Sequence, residues 1–84
     1  MNGFYFTFRS VTAAQRAQQL LQSAGISAGL LRTPAQLAVN GCGYCLRVGT
    51  RRAGAAMGLL QGSGLRRCYL RGDGGFTEVD CDLL

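Results

Sequence analysis

The sequence predicts one small α+β domain whose strands and helices follow the order βαββαβ. The chain has 84 residues, a length that permits one hydrophobic core and no second one. Apolar residues recur at every second position in four short stretches, which is typical of strands, and at helical spacing in two others. Because these segments alternate along the chain, we expect a sheet with helices packed against it.

The first strand is predicted at residues 3–8, where three phenylalanines recur with a period of two and leave Tyr5 and Thr7 on the opposite face. We expect this strand to be central. The first helix follows, because residues 12–15 match a capping box and Gly25 suits the position just after a helix C-terminus. The apolar face of this helix would consist of Ala13, Ala17, Leu20, Leu21 and Ala24.

The second strand is predicted at residues 26–32, with Ile26, Ala28 and Leu30 on one side. Pro34 then suits the first position of a short helical turn at residues 33–36. The segment that follows contains Asn40-Gly41-Cys42-Gly43, in which the two glycines allow tight turning of the backbone.

The third strand is predicted at residues 44–48, with Cys45 and Arg47 on one face and Tyr44, Leu46 and Val48 on the other. Thr50 is expected to cap the second helix, which ends at Gly62 and Gly64 and whose buried stripe would be Ala53, Ala56, Met57 and Leu60. The last strand is predicted at residues 66–71, with Cys68 and Leu70 facing inward.

This order predicts a ferredoxin-like domain over residues 1–72, with a four-stranded antiparallel sheet and both helices on one face. The acidic C-terminal tail, residues 73–84, is expected to be loop or disordered. The second face of the sheet would then be open and would present Tyr5, Thr7, Cys45, Arg47, Arg67, Tyr69 and Arg71.

The charges are divided between these two regions. All nine basic residues are arginines that precede residue 73, and the four acids all follow Gly72. Because residues 1–72 carry only positive side-chain charges, this region attracts anions. The absence of histidine excludes Ser/His/Asp and Cys/His nucleophile systems, so we expect no enzyme that works by ordinary acid/base catalysis, and we expect no cofactor.

The sequence shows no signal peptide and no apolar run of the roughly 20 residues that a membrane span requires. We therefore expect a cytoplasmic location and no membrane association. In that compartment the four cysteines are expected to serve as thiols, redox groups or metal ligands rather than as stabilising disulfides.

The pair Cys42 and Cys45 is spaced for a disulfide or a metal clip. It begins a strand instead of preceding a helix, so it is not a thioredoxin motif. No metal is predicted, because Cys68 and Cys81 do not repeat this spacing. Cys42 lies between Gly41 and Gly43 in a cationic domain, which favours a reactive thiolate; alternatively, both cysteines of the pair are only small structural residues.

Arg51 and Arg52 fall in the first turn of the second predicted helix, where the helix dipole disfavours cations. They could bind an anion together with the first amides of the helix. The alternative is a solvated, exposed pair.

The order of short motifs resembles a known family. These motifs are a strand ending in Phe-Arg-Ser, then Leu31-Arg32-Thr33-Pro34, then Gly41-Cys42-Gly43 leading into Leu46-Arg47. Over residues 3–71 the chain resembles the small domains called putative Se/S carrier protein-like. The resemblance implies that Cys42 accepts a persulfide or selenide and passes it on, with a cysteine desulfurase or another sulfur- or selenium-transfer protein as partner.

The chain departs from the family pattern at Cys45, where a small apolar residue is expected. Cys45 would therefore either help to release the carried atom or weaken the case for a carrier role. Arg47 would help to keep the Cys42 thiolate charged. A basic module that binds RNA or a protein partner through the open sheet face is the alternative. A second copy of the chain could be that partner, whereas nucleic acid is disfavoured because no aromatic-rich RNP-like run is present.

Overall fold

A computed structural model describes residues 3–37 and 43–79. The strands and α-helices in these ranges are β1 (Gly3–Phe8), α1 (Val11–Ser23), β2 (Gly29–Arg32), β3 (Tyr44–Val48), α2 (Ala53–Leu60), β4 (Leu65–Gly72) and β5 (Gly75–Val79). Single 3-10 turns cover Ala35–Leu37 and Thr50–Arg52. The predicted succession βαββαβ is therefore present, and a fifth strand follows it.

All strands form one antiparallel sheet in the order β2-β3-β1-β4-β5. The prediction that β1 is central is confirmed, because β1 pairs with β3 on one side and with β4 on the other. The α+β class is confirmed as well. The finer description as ferredoxin-like stays a prediction.

Strand β5 lies in the segment for which the sequence predicts loop or disorder, so that expectation is wrong for Gly75–Val79. This strand pairs with β4 from Cys68 opposite Val79 to Gly72 opposite Gly75. The acidic, glycine-rich composition concealed it, because β5 buries little of its own surface and gains its place by pairing with β4. Its Phe76 meets Tyr5 edge to face, with the ring centroids 5.0 Å apart.

Helix α1 begins two residues earlier than the capping-box pattern predicts. Ser10 has an extended backbone, and its side-chain oxygen accepts a hydrogen bond from the Ala13 N–H at 3.1 Å, so Ser10 rather than Thr12 caps the helix. Ala13, Ala14, Ala17 and Leu21 are buried. Leu20 and Ala24 were expected on the same face, but both are exposed.

The predicted buried stripe of the second helix is confirmed in α2, whose buried residues are Ala53, Ala56, Met57 and Leu60. Both helices pack on the same face of the sheet. They cover a core that the strands supply mainly through Phe6, Phe8, Leu46 and Val48. The strand residues that pack under the helices are therefore those that the period-two pattern of the sequence predicts.

The second face of the sheet was predicted to be open, and its centre is instead covered. The 3-10 turn after β2 brings Leu37 against Tyr5 and Cys45, and all three residues are buried. We call this group the second-face cluster; Leu31, Tyr69 and Phe76 pack at its margin. Thr7 is also buried, whereas Arg67 and Arg71 stay exposed as predicted.

Among the described residues, no helix is long and apolar enough to cross a membrane. The cytoplasmic location stays a prediction.

Candidate functional site

The predicted carrier residue Cys42 and its neighbour Gly41 lie outside the described residues. Gly43 is the first described residue after them, and it is exposed at the start of β3. Its carbonyl oxygen accepts a hydrogen bond from the Thr33 N–H at 2.8 Å. This bond continues the β2–β3 pairing by one step and fixes the point from which the chain reaches Cys42.

Arg32, at the end of β2, lies next to Gly43. One guanidinium nitrogen of Arg32 (Nη1) is 3.5 Å from the position that a Cβ atom on Gly43 would occupy. The guanidinium carbon also lies 5.6 Å from the centroid of the Tyr44 ring, within the range of a cation–π contact. A fixed cation therefore borders the residue that follows Cys42.

Sequence reasoning did not select Arg32 as a site residue. The signal was present in the motif Leu31-Arg32-Thr33-Pro34, which carries part of the family resemblance. What links this motif to the cysteine is the register that places Arg32 opposite Tyr44. Such a cross-strand pairing is not visible in either segment alone.

Arg47, which was expected to support the Cys42 thiolate, extends toward the other end of β3. Its Nε atom is 3.5 Å from the position of a Cβ atom on Gly3, at the beginning of β1. Gly43 and Arg47 are separated by four residues, which is roughly 13 Å along an extended strand. The structure therefore places Arg32, and not Arg47, beside Gly43.

Arg51 and Arg52 lie in the 3-10 turn that precedes α2, and both are exposed. This turn follows Val48, so it lies beyond the end of β3 that is opposite to Gly43. The two arginines are thus not part of the surroundings of Gly43. Their predicted binding of an anion stays a prediction.

The two described cysteines are buried on opposite faces of the sheet. Cys45 is 0% exposed in the second-face cluster and is present as a thiol. Cys68 is 0% exposed in the core under the helices, which agrees with its predicted inward orientation. It is disulfide-bonded. The expectation that no cysteine would serve in a structural disulfide is therefore wrong at Cys68.

These features define a small α+β domain in which a glycine-flanked cysteine comes just before an inner strand in the sequence. Arg32 lies next to Gly43, the glycine between that cysteine and the strand. Residues 3–67 match the family model described as "Putative Se/S carrier protein-like". The chain belongs to this family, as its motifs indicated. The match extends from β1 into the start of β4 and leaves β5 outside. No curated protein and no solved structure matches the chain.

Proposed function

We propose that this protein carries sulfur or selenium as a persulfide or selenide on Cys42. The observation that supports this proposal most is the surroundings of Gly43, the residue next to Cys42 in a family named for such carriers. Gly43 is exposed, and Arg32 lies beside it. A nearby cation favours the thiolate, which is the nucleophilic form of cysteine.

The transfer can be written without an external oxidant or reductant. The Cys42 thiolate attacks the terminal sulfur of a donor persulfide, a new S–S bond forms on Cys42, and the donor's S–S bond breaks. The donor leaves as a thiolate. An acceptor nucleophile then attacks the terminal sulfur and returns Cys42 to its thiolate, and the same sequence describes transfer of selenium through an S–Se bond.

The buried cysteines take other roles in this proposal. Because Cys45 is fully buried in the second-face cluster, we assign it to packing rather than to resolving the carried atom. We assign electrostatic support of the thiolate to Arg32, which replaces Arg47 in that role. The scaffold is ferredoxin-like in this proposal, the donor is a cysteine desulfurase or a related transfer protein, and the chain is a carrier rather than a catalyst.

Intact mass spectrometry tests the proposal. The protein is incubated with a cysteine desulfurase and cysteine, freed of small molecules, and weighed without reductant. We expect a gain of one sulfur atom that is lost in Cys42→Ser and kept in Cys45→Ala, the matched control at a buried thiol. No gain in the wild-type protein, or a gain that only Cys45→Ala removes, would contradict the assignment.

A further inference from the structure

We propose that the protein has a second site, a cleft that binds the phosphate groups of a small ligand. It consists of two cavities that share Arg9. One, of about 300 Å³, is also lined by Thr12, Arg16 and Ser63. The other, of about 500 Å³, is also lined by Arg66. We call Arg9, Arg16 and Arg66 the arginine cleft.

The fold places Arg9 with Arg16 at one cavity and with Arg66 at the other, although the three residues come from distant parts of the chain. Arg9 directly follows β1, and the preceding Phe8 pairs with Leu65 at the start of β4. The Arg9 N–H donates a hydrogen bond to the Gly64 carbonyl at 3.1 Å, which joins the end of β1 to the turn before β4. Arg66 follows in β4, and Arg16 lies in α1.

Gly64 makes this close approach sterically feasible. Its φ angle is +87°, and a Cβ atom there would lie 3.1 Å from the Ala13 Cβ and 3.4 Å from the Arg9 Nε. A larger residue would therefore press the turn away from both α1 and Arg9. The cleft depends on a backbone position that only glycine fits well.

Among the described residues, the cleft carries more positive than negative charge. Within the same ranges, Glu78 is the one carboxylate that lines either cavity, and Arg67 pairs with it at 3.0 Å. Within residues 3–37 and 43–79, the three arginines of the cleft form no ion pair. Arginine binds phosphate through parallel N–H donors, and several such groups around two cavities that share a residue suit a ligand with more than one phosphate.

The lining also argues for a small ligand rather than a nucleic acid. None of the described residues that line the two cavities is aromatic, so this lining offers no surface on which bases could stack. Its volume exceeds that of one inorganic anion. The chemistry that fits is a compact molecule carrying two or more phosphate groups, and this proposal does not depend on the carrier role.

Isothermal titration calorimetry with inorganic tripolyphosphate at low ionic strength tests this site. We expect one binding site per chain, and roughly tenfold weaker binding in the double variant Arg9→Gln/Arg66→Gln, because charge-assisted hydrogen bonds are lost. The matched control is Arg47→Gln/Arg71→Gln, which removes the same charge near Gly3, at the end of β1 opposite to Arg9. It should bind within about twofold of the wild type, since a site specific to the cleft is affected little by distant charges.

Three outcomes would overturn the proposal: no binding by the wild type, an equal or larger loss in the Arg47/Arg71 control, or tighter binding of an oligouridylate than of tripolyphosphate. Thermal melting checks that each variant folds. Amide NMR of the wild-type protein gives an answer even if a variant does not fold. Resonances of Arg9, Ser63 and Gly64 should shift with tripolyphosphate while those of Arg47 and Arg71 stay in place, and the reverse pattern would also overturn it.

Discussion

At the scale of single residues, Arg32 and Arg47 differ in what they can do for a thiolate at position 42. Arg32 borders Gly43, whereas Arg47 extends toward Gly3. We expect Arg32→Gln to slow alkylation of Cys42 near neutral pH by roughly three- to tenfold, because a charge at close range is worth about 1 kcal/mol or more near a protein surface. The matched control is Arg47→Gln, which removes another strand arginine and should change the rate of Cys42 alkylation by less than about twofold.

This rate is measured by peptide mass spectrometry after brief exposure to iodoacetamide. Equal slowing in both variants would show that Cys42 responds to the total charge of the protein. A larger effect of Arg47→Gln would return the supporting role to Arg47.

Cys45 should resist the same reagent as long as the protein is folded, because its side chain is 0% exposed. In denaturing urea it should react at the rate of an ordinary thiol. Cys68 is an internal reference, since a disulfide-bonded sulfur is alkylated only after reduction. Rapid labelling of Cys45 without urea would contradict its place in the second-face cluster.

The predictions for single residues were correct where they depended only on which face of a strand the side chain occupies. Period-two alternation correctly assigned the three phenylalanines of β1 to the helix-covered core and Tyr5 to the opposite face. It could not show that Tyr5 and Cys45 would be buried there. Their cover comes from Leu37, a residue in a separate segment whose position depends on the path of the chain after β2.

At the scale of secondary-structure elements, α2 contains a glycine that weakens it. Gly58 is exposed in the helix, and a Cβ atom there would meet nothing within 4 Å. Gly58→Ala should therefore raise the free energy of unfolding by about 0.5–1 kcal/mol. Gly64→Ala should lower it by about 1–3 kcal/mol, since its backbone conformation is strained for alanine. Urea unfolding of both variants checks the contrast, and a destabilising effect of Gly58→Ala would contradict it.

Removal of β5 tests whether the segment that the sequence predicts to be an unstructured tail contributes to the stability of the fold. A chain ending at Gly72 loses the pairing with β4, the contact of Phe76 with Tyr5 and the ion pair of Arg67 with Glu78. We expect a melting temperature at least several degrees lower and a tendency to associate, because β4 becomes an exposed edge.

The control for this truncation is Glu78→Gln, which breaks only the ion pair. Both partners are about half exposed, so the change should cost less than about 1 kcal/mol. If the truncated chain melts like the full chain, β5 contributes nothing to stability.

Elements with their own pattern were predictable, and elements defined by a partner were not. Strand β3 has the predicted bounds because alternation marks all of its residues, and the buried stripe of α2 follows helical spacing. Strand β5 has a weak pattern and an acidic composition that favours solvent. Its order comes from β4, whose free edge provides the hydrogen bonds.

At the scale of the whole molecule, the balance of charge governs the response to salt. The chain has nine arginines and four acids, and Arg67 forms an ion pair with Glu78. Repulsion among the arginines should outweigh attraction. Raising sodium chloride from about 0.02 M to about 0.15 M should therefore raise the melting temperature by a few degrees, which is roughly 0.5 kcal/mol for a small domain. A fall in melting temperature would show that attractive pairs dominate.

The hydrogen bond between Thr33 and Gly43 also affects how this protein can change during evolution or design. It closes the base of the connection between β2 and β3, so the sheet fixes where the connection starts and ends. Changes in its length should therefore leave the strand register intact, and doubling the length costs only about 0.6 kcal/mol in closure entropy. A change in length placed after Leu37 should leave both the strand register and the cover of Tyr5 and Cys45 in place, so relatives with connections of different length would still share one sheet.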